Sequence, residues 1–197
     1  MAAGLTRSFN YTKQEPISVC GQIIPSLLMW AWKIGPAIAC GNTVVLKTAE
    51  QTALGGFVRC EALRGGWFPS WSYQRYFSTA GAAIASHMKI HKVAFTGSTL
   101  VGRQIMKAAA ESNLKTVTLE LGGKSPNIVF EDADIDRAVE WINFGIYDNA
   151  GQCCCAGSRI YVQKSIYDKV IEAVKNRAQA NVVGNPSDEA TFQGTIA

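Results

Sequence analysis

Three cysteines stand side by side in Asn149-Ala-Gly-Gln-Cys-Cys-Cys-Ala-Gly-Ser-Arg159, between Gly151 and Gly157. A relaxed disulfide needs a Cα separation and a dihedral that one peptide unit seldom allows, so adjacent thiols make poor partners for one another. Three readings remain: small buried hydrophobes, a metal ligand set, or a nucleophile, since the thiolate is the form that attacks carbon. The flanking glycines would let backbone N–H groups approach a reacting oxygen closely. For zinc, His87 and His91 have a ligand-like spacing, but no C-x-x-C pair or second cysteine cluster accompanies them. A closed structural site needs four ligands, so no metal site is expected.

Two other stretches carry residue types suited to chemistry. In Leu119-Glu-Leu-Gly-Gly-Lys-Ser-Pro-Asn127 an acidic residue closes an apolar run just before two glycines. An apolar setting disfavours the charged carboxylate and would raise Glu120 toward the range of a general base, whereas a strand-edge glutamate facing water would do nothing of the kind. In Phe-Thr-Gly-Ser-Thr-Leu-Val-Gly, residues 95 to 102, glycines punctuate a turn from strand to helix. A helix N-terminus there would offer free N–H groups and positive potential to a phosphate. The G-x-G-x-x-G spacing is absent, however, and the same glycines also suit plain architecture.

The elements that must position these residues alternate. Ser26 to Ala39 has helical character, Gly41-Asn42 turns the chain, and Thr43-Val-Val-Leu46 reads as a buried strand. Gln51 to Leu63 reads as a helix stopped by Gly65-Gly66, Lys92 to Phe95 as a strand, Leu100 to Ser112 as a helix and Thr116 to Leu121 as a strand. Beyond them, Ile135, Ala138, Val139 and Ile142 share one helical face behind the possible caps Asp132 and Asp134. Ser158 to Gln163 is a strand, and Ser165 with Asp168 resembles a capping box opening a last helix lined by Ile166, Val170 and Val174. Strands alternating with helices imply an α/β fold with a mostly parallel sheet.

The totals exclude several classes. The 197 residues are 48% hydrophobic and 17% charged, enough for a packed core. Nineteen basic and fifteen acidic residues give +4, yet the cations are scattered and form no stripe for nucleic acid or an anionic membrane. The apolar stretch from Ile23 to Ala39 is broken by Pro25, Lys33 and Gly35-Pro36, which argues against a spanning helix. Residues 1 to 14 form an N-terminal arm without the apolar core of a secretory signal. Six cysteines, at 20, 40, 60 and 153 to 155, show no paired framework and fit a reducing, cytoplasmic setting.

Taken together, VVLKTAE at 44 to 50, FTGSTLVG at 95 to 102, LELGGKSPN at 119 to 127 and GQCCCAGSR at 151 to 159 resemble the NAD(P)-dependent aldehyde dehydrogenases, in family order. Cys154 follows Glu120 by 34 residues, as the family pattern has it. The resemblance implies a Rossmann-like cofactor portion over residues 1–121 and the beginning of a second α/β catalytic domain over 122–197. It implies that Cys154 is the nucleophile, that its thiohemiacetal with an aldehyde is oxidised to a thioester, and that Glu120 activates the hydrolytic water. Cys153 and Cys155 are then packing neighbours. The family also binds its cofactor through the positions of Lys47, Glu50, Gly97, Ser98, Gly102 and Leu121. A carboxylate beside the ribose, Glu50, repels a 2′-phosphate and so implies NAD rather than NADP. The partner implied is a small-molecule aldehyde. The family forms homo-oligomers through a C-terminal strand that these 197 residues do not include.

The sequence also departs from the family pattern. Where the family continues from the Gly21-Gln-Ile-Ile-Pro25 segment into Trp-Asn-aromatic-Pro, Pro25 here runs straight into Ser26-Leu27. In the family that asparagine amide donates to the developing oxyanion, and losing one such donor costs about a hundred- to a thousandfold in turnover. A short aromatic segment, Gly66 to Thr79, likewise stands where the family has a Pro-Gly turn and a glycine-containing loop.

Overall fold

The computed structural model describes residues 9–25, 27–52, 73–76 and 79–194. The chain divides into two compact units, Met1–Glu120 and Leu121–Ala197. In the first, strands β1 (Val19–Ile24), β2 (Thr43–Thr48), β3 (Tyr73–Tyr76), β4 (Lys92–Gly97) and β5 (Thr116–Leu121) form one sheet in the order β3-β2-β1-β4-β5. β1 pairs in parallel with β2 and with β4, and β2 in parallel with β3. That order, with the chain leaving β1 on one side and returning to its other side, is the doubly wound Rossmann arrangement.

The centre of this sheet is the element that the sequence pattern does not announce. β1 reads Val-Cys-Gly-Gln-Ile-Ile, with a glycine and a glutamine where β-branched residues would have marked a strand. Period-two alternation explains both. Gln22 and Ile24 face helix α1 (Leu27–Ala39): the Gln22 amide donates to the Lys33 carbonyl at 2.9 Å, and Ile24 clusters with Ile34, Val44 and Leu46. Gly21 faces the other way, under helix α2 (Ala80–Ser86), where a Cβ would collide with the Ile84 side chain. The glycine lets α2 settle onto the backbone of β1.

Helix α3 (Thr99–Glu111) starts at the glycine-punctuated turn, as expected, with Ser98 as its N-cap: the Ser98 hydroxyl accepts from Val101 N at 3.3 Å. The expected helix at Gln51 to Leu63 opens as a 3-10 turn over Glu50–Thr52, and residues 53–63, like Gly65 and Gly66, lie outside the described residues.

The second unit is α/β as well. Strands β6 (Pro126–Val129) and β7 (Arg159–Val162) pair in parallel, and helices α4 (Ile135–Tyr147) and α5 (Tyr167–Gln179) cover them, with Val129, Ile142 and Val170 at the core. Asp134, not Asp132, caps α4 by accepting from Arg137 N at 3.2 Å, a contact worth about 1 kcal/mol. The capping box expected at Ser165 and Asp168 does not form. Lys164–Ile166 make a 3-10 turn first, so α5 begins later and has no side-chain cap, while the Ser165 hydroxyl donates to Glu131 at 2.8 Å. Two short parallel bridges, β8 (Val183–Gly184) and β9 (Gln193–Gly194), complete the unit. Among the described residues no helix is long and apolar enough to cross a membrane.

Gly21→Ala is expected to lower stability by about 1–3 kcal/mol through overpacking against Ile84. Urea unfolding of Gly21→Ala, of Ile84→Ala and of the double variant measures it as a cycle; no loss in Gly21→Ala, or a double variant that loses the full sum of the two single losses, contradicts the close approach.

Candidate functional site

At the carboxyl ends of β1, β2 and β4 the first unit carries a cleft of about 600 Å³ walled by α2 and α3. Open α/β sheets bind ligands at this kind of position, where the chain reverses its direction across the sheet. The floor is formed by Ile23, Ile24 and Phe95, and the rim by Lys47, Glu50, Thr96, Gly97 and Ser98. The fold thus gathers Lys47 and Glu50, and Gly97 and Ser98, from two segments far apart in the chain. Gly102 is buried in the first turn of α3, donating its N–H to the Ser98 carbonyl at 2.9 Å, and neither Gly102 nor Leu121, the last residue of β5, is among the residues that line the cleft.

Lys47 is the unusual lining residue, because a lysine in a strand is ordinarily solvated and this one is 9% exposed. Its ammonium reaches Glu50 at 2.7 Å, and Glu50 stands open to solvent at the rim. The hydrogen bond from Lys47 is the main reason that the Glu50 carboxyl lies below its ordinary range, helped by its own backbone and by the Lys47 charge. Glu50 is therefore held ionised. Thr52 donates to the Pro25 carbonyl and ties this rim to the end of β1. The Thr96 hydroxyl is buried in the cleft with no hydrogen-bond partner among the described residues, and Gly97 keeps its place because a Cβ there would meet the Phe95 ring at 2.5 Å. An orphaned hydroxyl beside a helix N-terminus suits a polar, anionic ligand.

In the second unit the three cysteines lie on a tight turn, closed by Ala156 N donating to the Cys153 carbonyl at 3.1 Å. All three are exposed and free. The turn is held from behind: Ser125 N donates to the Ala156 carbonyl at 3.0 Å, Gly157 N to the Gly145 carbonyl at 2.9 Å, and the Asn127 amide to the Gly157 carbonyl at 3.2 Å. A Cβ on Gly157 would collide with Asn127, and one on Gly123 would meet the Cys154 carbonyl at 3.1 Å, so the Gly-Gly-Lys-Ser stretch runs directly along the cysteine turn. Cys155 has its thiol pushed above the ordinary range, chiefly by its hydrogen-bonding contact with Cys153 and then by the neighbouring thiolate charges.

Glu120 is exposed near the end of β5, on the same strand face as Thr116 and Thr118. The water-facing alternative describes its surroundings in this structure better than the apolar one. Its charge is felt by Lys33 of α1, whose ammonium is lowered by burial and partly restored by Glu120. Sequence reading took Lys33 only as a break in an apolar stretch, because Glu120 lies far along the chain.

The aldehyde dehydrogenase family profile matches residues 2–197. This chain belongs to the aldehyde dehydrogenase family. It is 67% identical over 193 residues to an aldehyde dehydrogenase of Davidiella tassiana, covering 95% of this chain and 39% of that protein. It is 56% identical over 192 residues to the mitochondrial aldehyde dehydrogenase of Homo sapiens, covering 94% of this chain and 37% of that protein. Among solved structures, the NAD+ complex of an aldehyde dehydrogenase from Bacillus cereus superimposes with a TM-score of 0.88 at 44% identity, covering 92% of this chain and 38% of that one. The chain thus spans well under half the length of these aldehyde dehydrogenases.

This family member positions its turn through Asn127, Ser125 and Gly145. Of these only Asn127 and Ser125 lie in a stretch that sequence reading singled out. The raised Cys155 thiol gives a pH signature: its alkylation should set in above the ordinary thiol range, and Cys153→Ala should move the onset to lower pH. Mass-spectrometric rates across a pH series read this directly, and an onset unchanged in the variant contradicts the thiol-to-thiol contact.

Proposed function

We propose that this chain carries the cofactor cleft and the nucleophile of an NAD-dependent aldehyde dehydrogenase that acts on a small-molecule aldehyde. The observation that carries the reading is the cleft, which brings Lys47, Glu50, Gly97 and Ser98 together at the point where the sheet order reverses. The residues suit the cofactor. Lys47 and Glu50 offer a donor and an ionised acceptor for ribose hydroxyls, and the unpartnered Thr96 hydroxyl with the start of α3 offers donors for a pyrophosphate. Because Glu50 is ionised, it accepts from a free 2′-hydroxyl and repels a 2′-phosphate, which favours NAD over NADP.

In this reading the Cys154 thiolate adds to the aldehyde carbonyl carbon, forming the C–S bond of a thiohemiacetal while the carbonyl oxygen takes up charge. When bound, the nicotinamide supplies the acceptor whose reduction turns that adduct into a thioester. By the family resemblance alone, the Glu120 carboxylate, exposed on β5, takes a proton from the water that hydrolyses the thioester, and hydrolysis frees Cys154 for another cycle. The exposure of Cys154 lets an aldehyde reach it, and the buried Ala156 and Gly157 behind it keep the turn in one place. Unpaired cysteines suit a cytoplasmic setting, and nothing in the charge pattern calls for a nucleic acid partner. With no Trp-Asn segment between Pro25 and Ser26, the oxyanion lacks a side-chain donor that the family pattern supplies, so thiol chemistry outlasts turnover.

Calorimetry with both nucleotides is expected to show NAD binding at least about tenfold more tightly than NADP. Glu50→Gln should narrow that ratio; equal affinities in the unmodified chain contradict the reading. Brief treatment with iodoacetamide and peptide mapping should find Cys154 modified ahead of Cys153 and Cys155. Steady-state NADH formation from acetaldehyde is expected below about 1 per second, the low end for enzymes, and a faster rate shows that the missing amide is dispensable.

A further inference from the structure

We propose that the turn at Cys153, Cys154 and Cys155 is a binding site for a soft, thiophilic ion, monovalent copper, with all three sulfurs as ligands. The sequence spacing argues against a four-ligand zinc site, and the turn supplies a different set. The three sulfur atoms lie within 4.8 Å of one another, and the Cys153 and Cys155 sulfurs are 3.5 Å apart. With metal–thiolate bonds of about 2.3 Å, three sulfurs around one trigonal ion stand about 4.0 Å apart, so the observed triangle brackets the required one.

Consecutive residues seldom offer three side chains to one point, because in an extended chain they alternate between faces. Here the turn closed by Ala156 N curls them together, and its position is fixed by backbone partners at Ser125 and Gly145. Much of the ordering that ligand binding would otherwise demand is therefore already complete. Among the described residues the donor set is sulfur alone, with no carboxylate or imidazole in the cluster, and thiolates select soft ions such as monovalent copper over magnesium or calcium. All three cysteines are exposed, so an ion has access. Binding exchanges three S–H bonds for three Cu–S bonds, releases three protons to solvent and leaves copper and sulfur at their original oxidation states. One ligand, Cys154, is also the sulfur assigned above as nucleophile; a bound ion withdraws its lone pair, so copper and alkylation exclude one another.

The test is an anaerobic titration of the 197-residue chain with monovalent copper against a competing chelator, with X-ray absorption counting the sulfur neighbours. One ion per chain with three sulfur neighbours is expected. Each of Cys153→Ser, Cys154→Ser and Cys155→Ser should weaken binding by at least about tenfold, while Cys40→Ser leaves it unchanged. Circular dichroism confirms that the variants stay folded. Copper should also protect Cys154 from iodoacetamide. Two sulfur neighbours only, full affinity in Cys154→Ser, or tighter binding of divalent zinc than of copper overturns the proposal. Because none of these readings depends on aldehyde turnover or on NAD, a failed copper site and a failed aldehyde dehydrogenase reading give different results.

Discussion

The contact between Ile84 and the bare backbone of Gly21 sets the geometry on which the first unit depends. A parallel sheet must be covered on both faces, and β1, at its centre, meets a helix on each side. On one face Gln22 and Ile24 meet α1; on the other, Gly21 has nothing to hold α2 away. With α2 lowered onto the strand at Ile84, its first turn, at Gly81 and Ala82, lies beside the strand ends and forms one wall of the cleft. A larger residue at position 21 would lift the helix and change the cleft without touching any residue that lines it.

A polar clamp fixes the far ends of α2 and α3. The Lys115 ammonium is buried and donates to the Ala85 carbonyl at 2.7 Å and to the Ser112 hydroxyl at 2.6 Å. It thereby joins the last turn of α2 to the end of α3, where helix carbonyls carry partial negative charge. Burial lowers the Lys115 ammonium from its ordinary range. Asn113 adds bonds to the carbonyls of Met88 and Ile90, holding the approach to β4 against the same helix end. Clamped at one end and spread at the other, α2 and α3 leave room where the strands finish.

The cysteine turn is positioned by backbone rather than by packing. Asn149, Ala150 and Gly151 all have positive φ, and an alanine in that region costs about 1–2 kcal/mol. The Asn149 amide offsets part of this by donating to the Gln152 carbonyl at 3.0 Å. The result is a sharp reversal after α4 that delivers three thiols to the surface while Ala156 and Gly157 remain buried. Exposed sulfur on a rigid loop is what both nucleophilic attack and soft-ion capture require.

The alternation of strands and helices was legible in the chain, because β-branched runs such as Thr43 to Leu46 and apolar faces such as Ile135, Val139 and Ile142 report burial locally. The cap at Ser98 was implicit in a glycine turn before a helix, and the motif order pointed to the family. What the sequence did not disclose are positions whose meaning lies in a distant neighbour. β1 was hidden because Gly21 answers to Ile84, sixty-three residues later in the chain. The missing capping box at Ser165 has the same origin, since that hydroxyl is engaged by Glu131 on another segment. The burial of Lys47 beside Glu50 came only with the sheet, and Lys33 acquired significance only when β5 brought the Glu120 charge within reach of α1. Residue type and periodicity thus determined which elements form and which chemistry is available. Only the tertiary structure decided which of those residues meet, because close approach, burial and charge coupling depend on separation in space and not along the chain.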